Sequence, residues 1–111
     1  MIERYGVYRV NLEPVRGREI AKTRPAAVIS DEDMNRVLGT VVVCPITFRL
    51  HPAWPSRVQT AIAGREAEIA IDQIRTIDKS RLGEHIDTLA DPVSAALRHV
   101  VTQMYGLLSV K

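Results

Sequence analysis

Residues 13–30 constrain the fold of this chain more than any other stretch. They contain a loop, bounded by Pro14 and Pro25, that holds four basic side chains and one interior carboxylate. The short apolar run at residues 26–30 follows at once, and its composition favours a buried strand over a helix. The chain is therefore expected to pass directly from a charged loop into the core, with Arg24 fixed at the end of a rigid element.

Further strands are predicted along the chain. Residues 8–12 alternate between apolar and polar side chains, which is the period-two pattern of a half-buried strand. The other predicted strands cover residues 40–46, 57–62, 66–71, 75–78 and 84–89. Those at 57–71 are expected to form a hairpin around a turn at residues 63–65. Residues 48–56 contain two prolines and the only tryptophan, so an irregular loop is expected there.

The sequence pattern from residue 91 onwards predicts the one extended helix of the chain. Asp91 is expected to cap it, and Pro92 to occupy the first turn, where its missing N–H costs nothing. The apolar stripe of this helix consists of Val93, Leu97, Val100, Val101, Met104 and Leu108. A single helical turn at residues 31–36 would be capped by Ser30 or Asp31. Five to seven short strands with a C-terminal helix predict an α+β, barrel-like fold.

Composition limits the class of protein. A length of 111 residues with 46% hydrophobic and 25% charged side chains fits one globular domain over residues 1–111. No stretch approaches the ~20 apolar residues of a membrane span, and no apolar signal core begins the chain. A cytoplasmic protein without membrane contact is therefore expected. Cys44, the only cysteine, lies in an apolar run and is expected to be a core thiol.

The histidines and the distribution of charge bear on cofactors and on binding partners. The three histidines, at positions 51, 85 and 99, are scattered and expected to be solvated, so no metal or other cofactor is expected. The net charge is +2 and the pI is about 9.0. Residues 1–24 hold six bases against three acids. Either a basic face that meets RNA or a set of solvated arginines explains this surplus equally well.

Three ordered motifs resemble the MazF/PemK family, the toxin endoribonucleases of bacterial toxin–antitoxin pairs. They are P-x-x-G-x-E-x-x-K-x-R-P at 14–25, V-V-V-x-P-I-T at 41–47 and D-Q-x-R-x-x-D at 72–78. The resemblance implies a small SH3-like or CcdB-like β-barrel with a C-terminal helix, usually assembled as a homodimer. It also implies a cognate antitoxin, whose acidic and disordered segment silences the toxin.

The implied reaction is metal-independent, sequence-specific cleavage of single-stranded mRNA by attack of the 2′-hydroxyl. It leaves a 2′,3′-cyclic phosphate and a 5′-hydroxyl, and needs proton transfer and a cation on the phosphorane. Arg24 is the first candidate for that cation, because its planar fork matches two phosphate oxygens. The resemblance pairs it with Thr47 and makes Glu19 the candidate proton acceptor. Each of these residues has a structural alternative. Arg24 could form a salt bridge with Glu19, and Glu19 could serve only to orient Arg24. Thr47 could serve only to satisfy the hydrogen bonds of a turn.

Asp72 matches an aspartate proposed as an acid or base in the PemK-like branch. That branch's companion arginine and histidine are replaced here by Ala70 and Arg18, so the arginine–threonine pair of the MazF-like branch fits better. Asp72 and Gln73 are then candidates for reading base edges, since carboxylate and amide groups match the donors and acceptors of bases.

Other RNA contacts are predicted from the two loops. The basic loop (residues 14–24) supplies Arg16, Arg18 and Lys22, and the following loop supplies Phe48 and Trp54 as stacking surfaces. Closing the end of the barrel is an equal alternative for the tryptophan. Two other functions stay open: a CcdB-like toxin that poisons DNA gyrase, which would lack the arginine–threonine pair, and an RNA-binding barrel without cleavage.

Overall fold

The computed structural model describes residues 1–106, so Leu108 of the predicted apolar stripe lies outside the described residues. Within them, seven strands and two helices follow one another. They are β1 (Gly6–Asn11), β2 (Thr23–Val28), α1 (Glu32–Val37), β3 (Thr40–Thr47), β4 (Arg57–Ile62), β5 (Arg65–Ala70), β6 (Arg75–Asp78), β7 (Leu82–Thr88) and α2 (Asp91–Tyr105). Short 3-10 turns at Ile71–Gln73 and Lys79–Arg81 precede β6 and β7.

The sheet is antiparallel and curls around β3. The strand order is β4-β5-β3-β2-β1-β7, and β6 also pairs with β3. The first half of β3 pairs with β6, from Thr40 to Val43, whereas its last residues, Ile46 and Thr47, pair with β5. This change of partner along one strand bends the sheet, and α2 packs on it through β4. The predicted α+β architecture with a C-terminal helix is confirmed.

The core consists of two apolar clusters on opposite faces of the sheet. Ala27, Cys44 and Ile46 belong to the cluster that α2 covers through Leu97. The alternate residues of the same strands line the second cluster, which contains Ala26, Val28, Val41 and Val43. Successive side chains of a strand point to opposite faces, so the uninterrupted apolar runs of β2 and β3 fill both clusters. Burial, with the nearby charge of Asp72, raises the pKa of the Cys44 thiol to about 12, so this cysteine is an inert core residue.

Three predicted details of the ends of elements are wrong. β2 begins at Thr23, so Arg24 lies inside the strand, because these two residues pair with β1. The N-cap of α2 is Ala90 instead of Asp91, since the carbonyl of Ala90 already accepts the helical N–H of Ser94. Met104 is 39% exposed, because the part of α2 packed on the core ends a turn earlier.

A buried carboxylate joins β4, β5 and the loop before them. Glu68 is fully buried and accepts hydrogen bonds from Nη1 of Arg57 at 2.6 Å, Nε2 of Gln59 at 2.8 Å and the backbone N–H of His51 at 2.5 Å. The ring Nδ1 of His51 lies 3.1 Å from its second oxygen. The prediction that His51 is solvated is wrong, because a buried carboxylate requires donors and the loop supplies them through this residue.

The hydrogen bonds to Glu68 fix its ionisation. Burial alone would raise the pKa of this carboxyl, but the bonds from Gln59, His51 and Arg57 lower it to about 2. The side chain of Arg57 is only 5% exposed, so the two charges neutralise each other in the protein interior.

Replacing Glu68 by glutamine is expected to lower the free energy of unfolding by about 3 kcal/mol at pH 7, because it removes the more deeply buried of the two carboxylates that neutralise Arg57. A carboxyl with a lowered folded-state pKa stabilises the fold above its unfolded pKa, and this contribution disappears as the pH falls through the folded value. The difference between parent and E68Q should therefore be constant above about pH 5 and shrink towards pH 2.

Urea unfolding of both proteins at several pH values measures this difference. The control is Glu66→Gln, an exposed carboxylate on the same strand, which should change stability by less than ~0.5 kcal/mol. Equal losses for the two variants, or a loss for E68Q that is the same at pH 7 and pH 3, would contradict the assigned role of the buried charge.

Candidate active site

One open cavity of about 540 Å³ brings together most of the predicted site residues. We call it the first cavity. Among its lining residues are Arg18, Glu19, Arg24, Thr47, Trp54, Asp72 and Gln73. Three predicted RNA-binding residues lie elsewhere. Arg16 and Lys22 are exposed on the basic loop outside it, and Phe48 lines an adjoining second cavity.

Arg24 and Thr47 reach this cavity from neighbouring strands. The register of β2 and β3, in which Ala26 pairs with Pro45, carries the two residues to facing positions just beyond the last pair. Pro25 and Pro45 cannot donate ladder hydrogen bonds, so the strands separate at this point. Nε of Arg24 donates to the carbonyl of Ala21 at 3.1 Å, and within residues 1–106 its two terminal nitrogens have no partner. The fork of the guanidinium is thus available to an anion.

Glu19 does not form the salt bridge with Arg24 that was one alternative. Its Oε1 accepts the backbone N–H of Arg16 at 2.6 Å, which closes a turn that contains Gly17 at φ +58°. The neighbouring Ile20 donates its N–H to Oε1 of Gln73 at 2.6 Å and ties the basic loop to the segment after β5. The other oxygen of the Glu19 carboxylate, Oε2, has no hydrogen-bond partner among the described residues.

Arg57 is a residue of the cavity that the sequence-based prediction missed. Its Nε donates to Oδ1 of Asp72 at 2.8 Å while its Nη1 holds Glu68, and Ser56 also donates to Asp72 at 2.9 Å. Burial opposes ionisation of Asp72, but these hydrogen bonds and the charge of Arg57 lower its pKa. Asp72 is therefore an anion that accepts hydrogen bonds, not a proton donor, at neutral pH.

Trp54 is held flat at the edge of the cavity. The rings of His51 and Trp54 stack with centroids 3.9 Å apart at 20°, and Cζ of Arg57 lies 4.7 Å from the indole centroid. Nδ1 of His51 and Nη1 of Arg57 are 3.4 Å apart, too close to lie on opposite sides of a ring, so both contact one indole face. Trp54 is 47% exposed and does not close the barrel.

The described residues bring together no three side chains of the types that bind metals. Neither helix within residues 1–106 has the length and apolar character that crossing a membrane requires. The polar groups that line the first cavity are those of arginines, of Thr47 and Gln73, of His51 and Trp54, and of the carboxylates Glu19 and Asp72.

Comparison with known proteins identifies the family. A family model described as PemK-like, MazF-like toxin of type II toxin-antitoxin system matches residues 3–105. The endoribonuclease MazF of Staphylococcus saprophyticus is 31% identical over 116 aligned residues, which cover 100% of this chain and 97% of that protein.

Solved structures agree with this match. MazF from Deinococcus radiodurans superposes with a TM-score of 0.84 at 28% identity, covering 96% of this chain and 97% of that one. A MazE–MazF structure from the same organism gives 0.76 at 26% identity, with coverages of 96% and 97%. The chain belongs to the PemK/MazF family of toxins of type II toxin–antitoxin systems.

Proposed function

We propose that this protein is a metal-independent, sequence-specific endoribonuclease that cleaves single-stranded mRNA in the cytoplasm and thereby stops translation and growth. The observation that carries the proposal is the unpaired fork of Arg24 facing Thr47 in the first cavity. Membership of the toxin family and the similarity to a MazF endoribonuclease support the class of reaction.

The reaction uses the nucleophile that RNA carries. Glu19 accepts the proton of the 2′-hydroxyl at its free oxygen, the bond from O2′ to phosphorus forms, and the bond from phosphorus to O5′ breaks. Arg24 stabilises the phosphorane with two parallel hydrogen bonds and donates a proton to the departing O5′. The hydroxyl of Thr47 donates a hydrogen bond to a phosphate oxygen and keeps its proton, while its Oγ1 accepts the N–H of Arg49 at 3.1 Å. The products are a 2′,3′-cyclic phosphate and a 5′-hydroxyl.

Binding of the bases is assigned to Trp54, Asp72 and Gln73, which line the first cavity. The free face of Trp54 stacks on one base, and the anionic Asp72 accepts hydrogen bonds from base amino groups. The oxygen of Gln73 is occupied by the basic loop, so its NH₂ group is the one that faces RNA. Arg18, with Arg16 and Lys22 on the rim, attracts the phosphate backbone.

We further propose that a cognate antitoxin inhibits the protein and that the protein forms a homodimer. A MazE–MazF structure from D. radiodurans is among the similar structures. An acidic, disordered segment that folds on binding would pair with Arg16, Arg18 and Arg24 and exclude RNA. The gyrase-poison alternative is not favoured, because the arginine–threonine pair is present and the S. saprophyticus relative is an endoribonuclease.

Replacing Arg24 by alanine should lower the cleavage rate about 10²–10³-fold, because one preorganised stabiliser of the phosphorane is lost. The melting temperature should stay unchanged, since the side chain belongs to neither core cluster. Single-turnover cleavage of a fluorescent single-stranded RNA measures the rate, and Thr47→Ala should show a smaller loss. Arg36→Ala, an exposed arginine of α1, is the control and should cleave like the parent. A parent-like rate for R24A would refute the assignment, and a parent that binds RNA without cutting it would favour the non-cleaving alternative.

Cleavage should continue in excess EDTA, because Arg24 and the 2′-hydroxyl supply the charge and the nucleophile. A polynucleotide kinase should label the downstream product directly, because that product carries a free 5′-hydroxyl. Mass spectrometry should show the 2′,3′-cyclic phosphate on the upstream product. Deoxyribose at the cut site should block the reaction. A 5′-phosphate product would rule out attack by the 2′-hydroxyl.

Binding of RNA should quench the fluorescence of Trp54, which is the only tryptophan of the chain. An RNA with deoxyribose at the cut site allows titration without cleavage. Trp54→Ala should weaken its binding by about 1–3 kcal/mol, the range for loss of one stacked base. Unchanged fluorescence at saturating RNA, with normal cleavage by the variant, would exclude the stacking role.

A further inference from the structure

A second cavity of about 610 Å³ adjoins the first, and the part of it beyond Arg24 and Thr47 has no role in the proposed reaction. Arg24, Thr47 and Arg49 line both cavities, so the phosphate-binding pair lies where the two meet. From this junction the second cavity extends past Arg65, at the turn between β4 and β5, towards Arg9 on β1.

The two cavities differ in charge. The first contains the carboxylates of Glu19 and Asp72 beside its arginines. The second is lined by four arginines and by no carboxylate; they are Arg9, Arg24, Arg49 and Arg65. Its charged groups are therefore suited to an anion, and it lacks the carboxylate and amide groups that read base edges in the first cavity.

The arginines of the second cavity are available to a ligand. Arg49 and Arg65 form no salt bridge within residues 1–106. Arg9 pairs with Glu84 at 3.3 Å, but both side chains are more than half exposed, so this pair is weak. The guanidinium of Arg65 lies over the ring of Phe48, with Cζ 3.9 Å from the centroid. Stacking fixes the plane of the guanidinium and leaves the N–H groups at its edge free to donate.

An endonuclease imposes a further requirement. It cuts inside a strand, so RNA must continue on both sides of the scissile phosphate. With that phosphate between Arg24 and Thr47, the nucleotides on one side occupy the first cavity. The nucleotides on the other side of the scissile phosphate then lie at the second cavity. Each of these nucleotides brings one phosphate close to its arginines.

We propose that the second cavity binds the sugar–phosphate backbone of single-stranded RNA on the side of the cut opposite to the first cavity, through Arg65, Arg49 and Arg9. This inference rests on the proposed endoribonuclease function. The cavity adds affinity that depends on salt and strand length but does not depend on base identity.

Arg65→Ala tests the proposal in full-length protein with an uncleavable RNA that carries deoxyribose at the cut site. Affinity at low salt should fall several-fold. The slope of log Kd against log salt concentration should decrease by about 0.7, the value for one phosphate contact on a single strand. Arg65→Lys keeps the charge and should retain most of the slope, while Arg36→Ala, the same loss of charge on α1, should change neither quantity.

Two series of RNAs, shortened from the 5′ or from the 3′ end, locate the site. The effect of Arg65→Ala should vanish when one end has been removed and persist when the other has. An unchanged slope and affinity with full-length RNA would overturn the proposal, and so would effects that are equal in both series. Loss of binding to an acidic antitoxin peptide alone would also overturn it, because the cavity would then serve the peptide. A parent protein that binds these RNAs in the expected way but never cuts their ribose counterparts would refute the proposed function and leave the backbone site standing.

Discussion

The fold and the candidate site both depend on the pairing of β3. This strand holds β6 along its first half, β2 along its middle and β5 at its end, and its alternate side chains fill both core clusters. Pairing with β2 stops where Pro25 and Pro45 interrupt the ladder. The two strands therefore present Arg24 and Thr47 to each other without closing over them. The same backbone feature ends the pairing of β2 with β3 and opens the cavity.

Electrostatics divide the surroundings of this junction into two parts. On one side, Glu68, Arg57 and Asp72 form a mostly buried chain of charges that satisfies itself and fixes Trp54 in place. On the other side, arginines face solvent with few or weak partners. A preorganised wall favours selective contacts, because little reorganisation is needed on binding. Solvated cations favour unselective attraction to a polyanion.

Local pattern and motif predicted much of this molecule, and the failures have identifiable causes. Continuous apolar runs located β2 and β3, and the three motifs identified most residues of the first cavity. The hairpin was predicted with a three-residue turn, but Ala63 and Gly64 both adopt positive φ and form a two-residue turn. A shift of one residue exchanges the partners across a hairpin, so the apposition of Gln59 and Glu68 could not be foreseen. The contact of His51 with Glu68 depended on that apposition. Phe48 and Trp54, predicted together, line different cavities, since the loop between them reverses direction.

The hydrogen bond between Gln73 and Ile20 links two properties that are usually thought of as separate. The amide oxygen of Gln73 anchors the loop that carries Glu19, and its NH₂ group is the one that we propose to face the bases. A substitution at position 73 that alters base preference would also release the loop that carries Glu19, the proposed proton acceptor. Changes of cleavage specificity among such toxins should therefore occur first at residues of the cavity that do not also hold the basic loop. Position 73 should change only when another residue anchors the loop in its place.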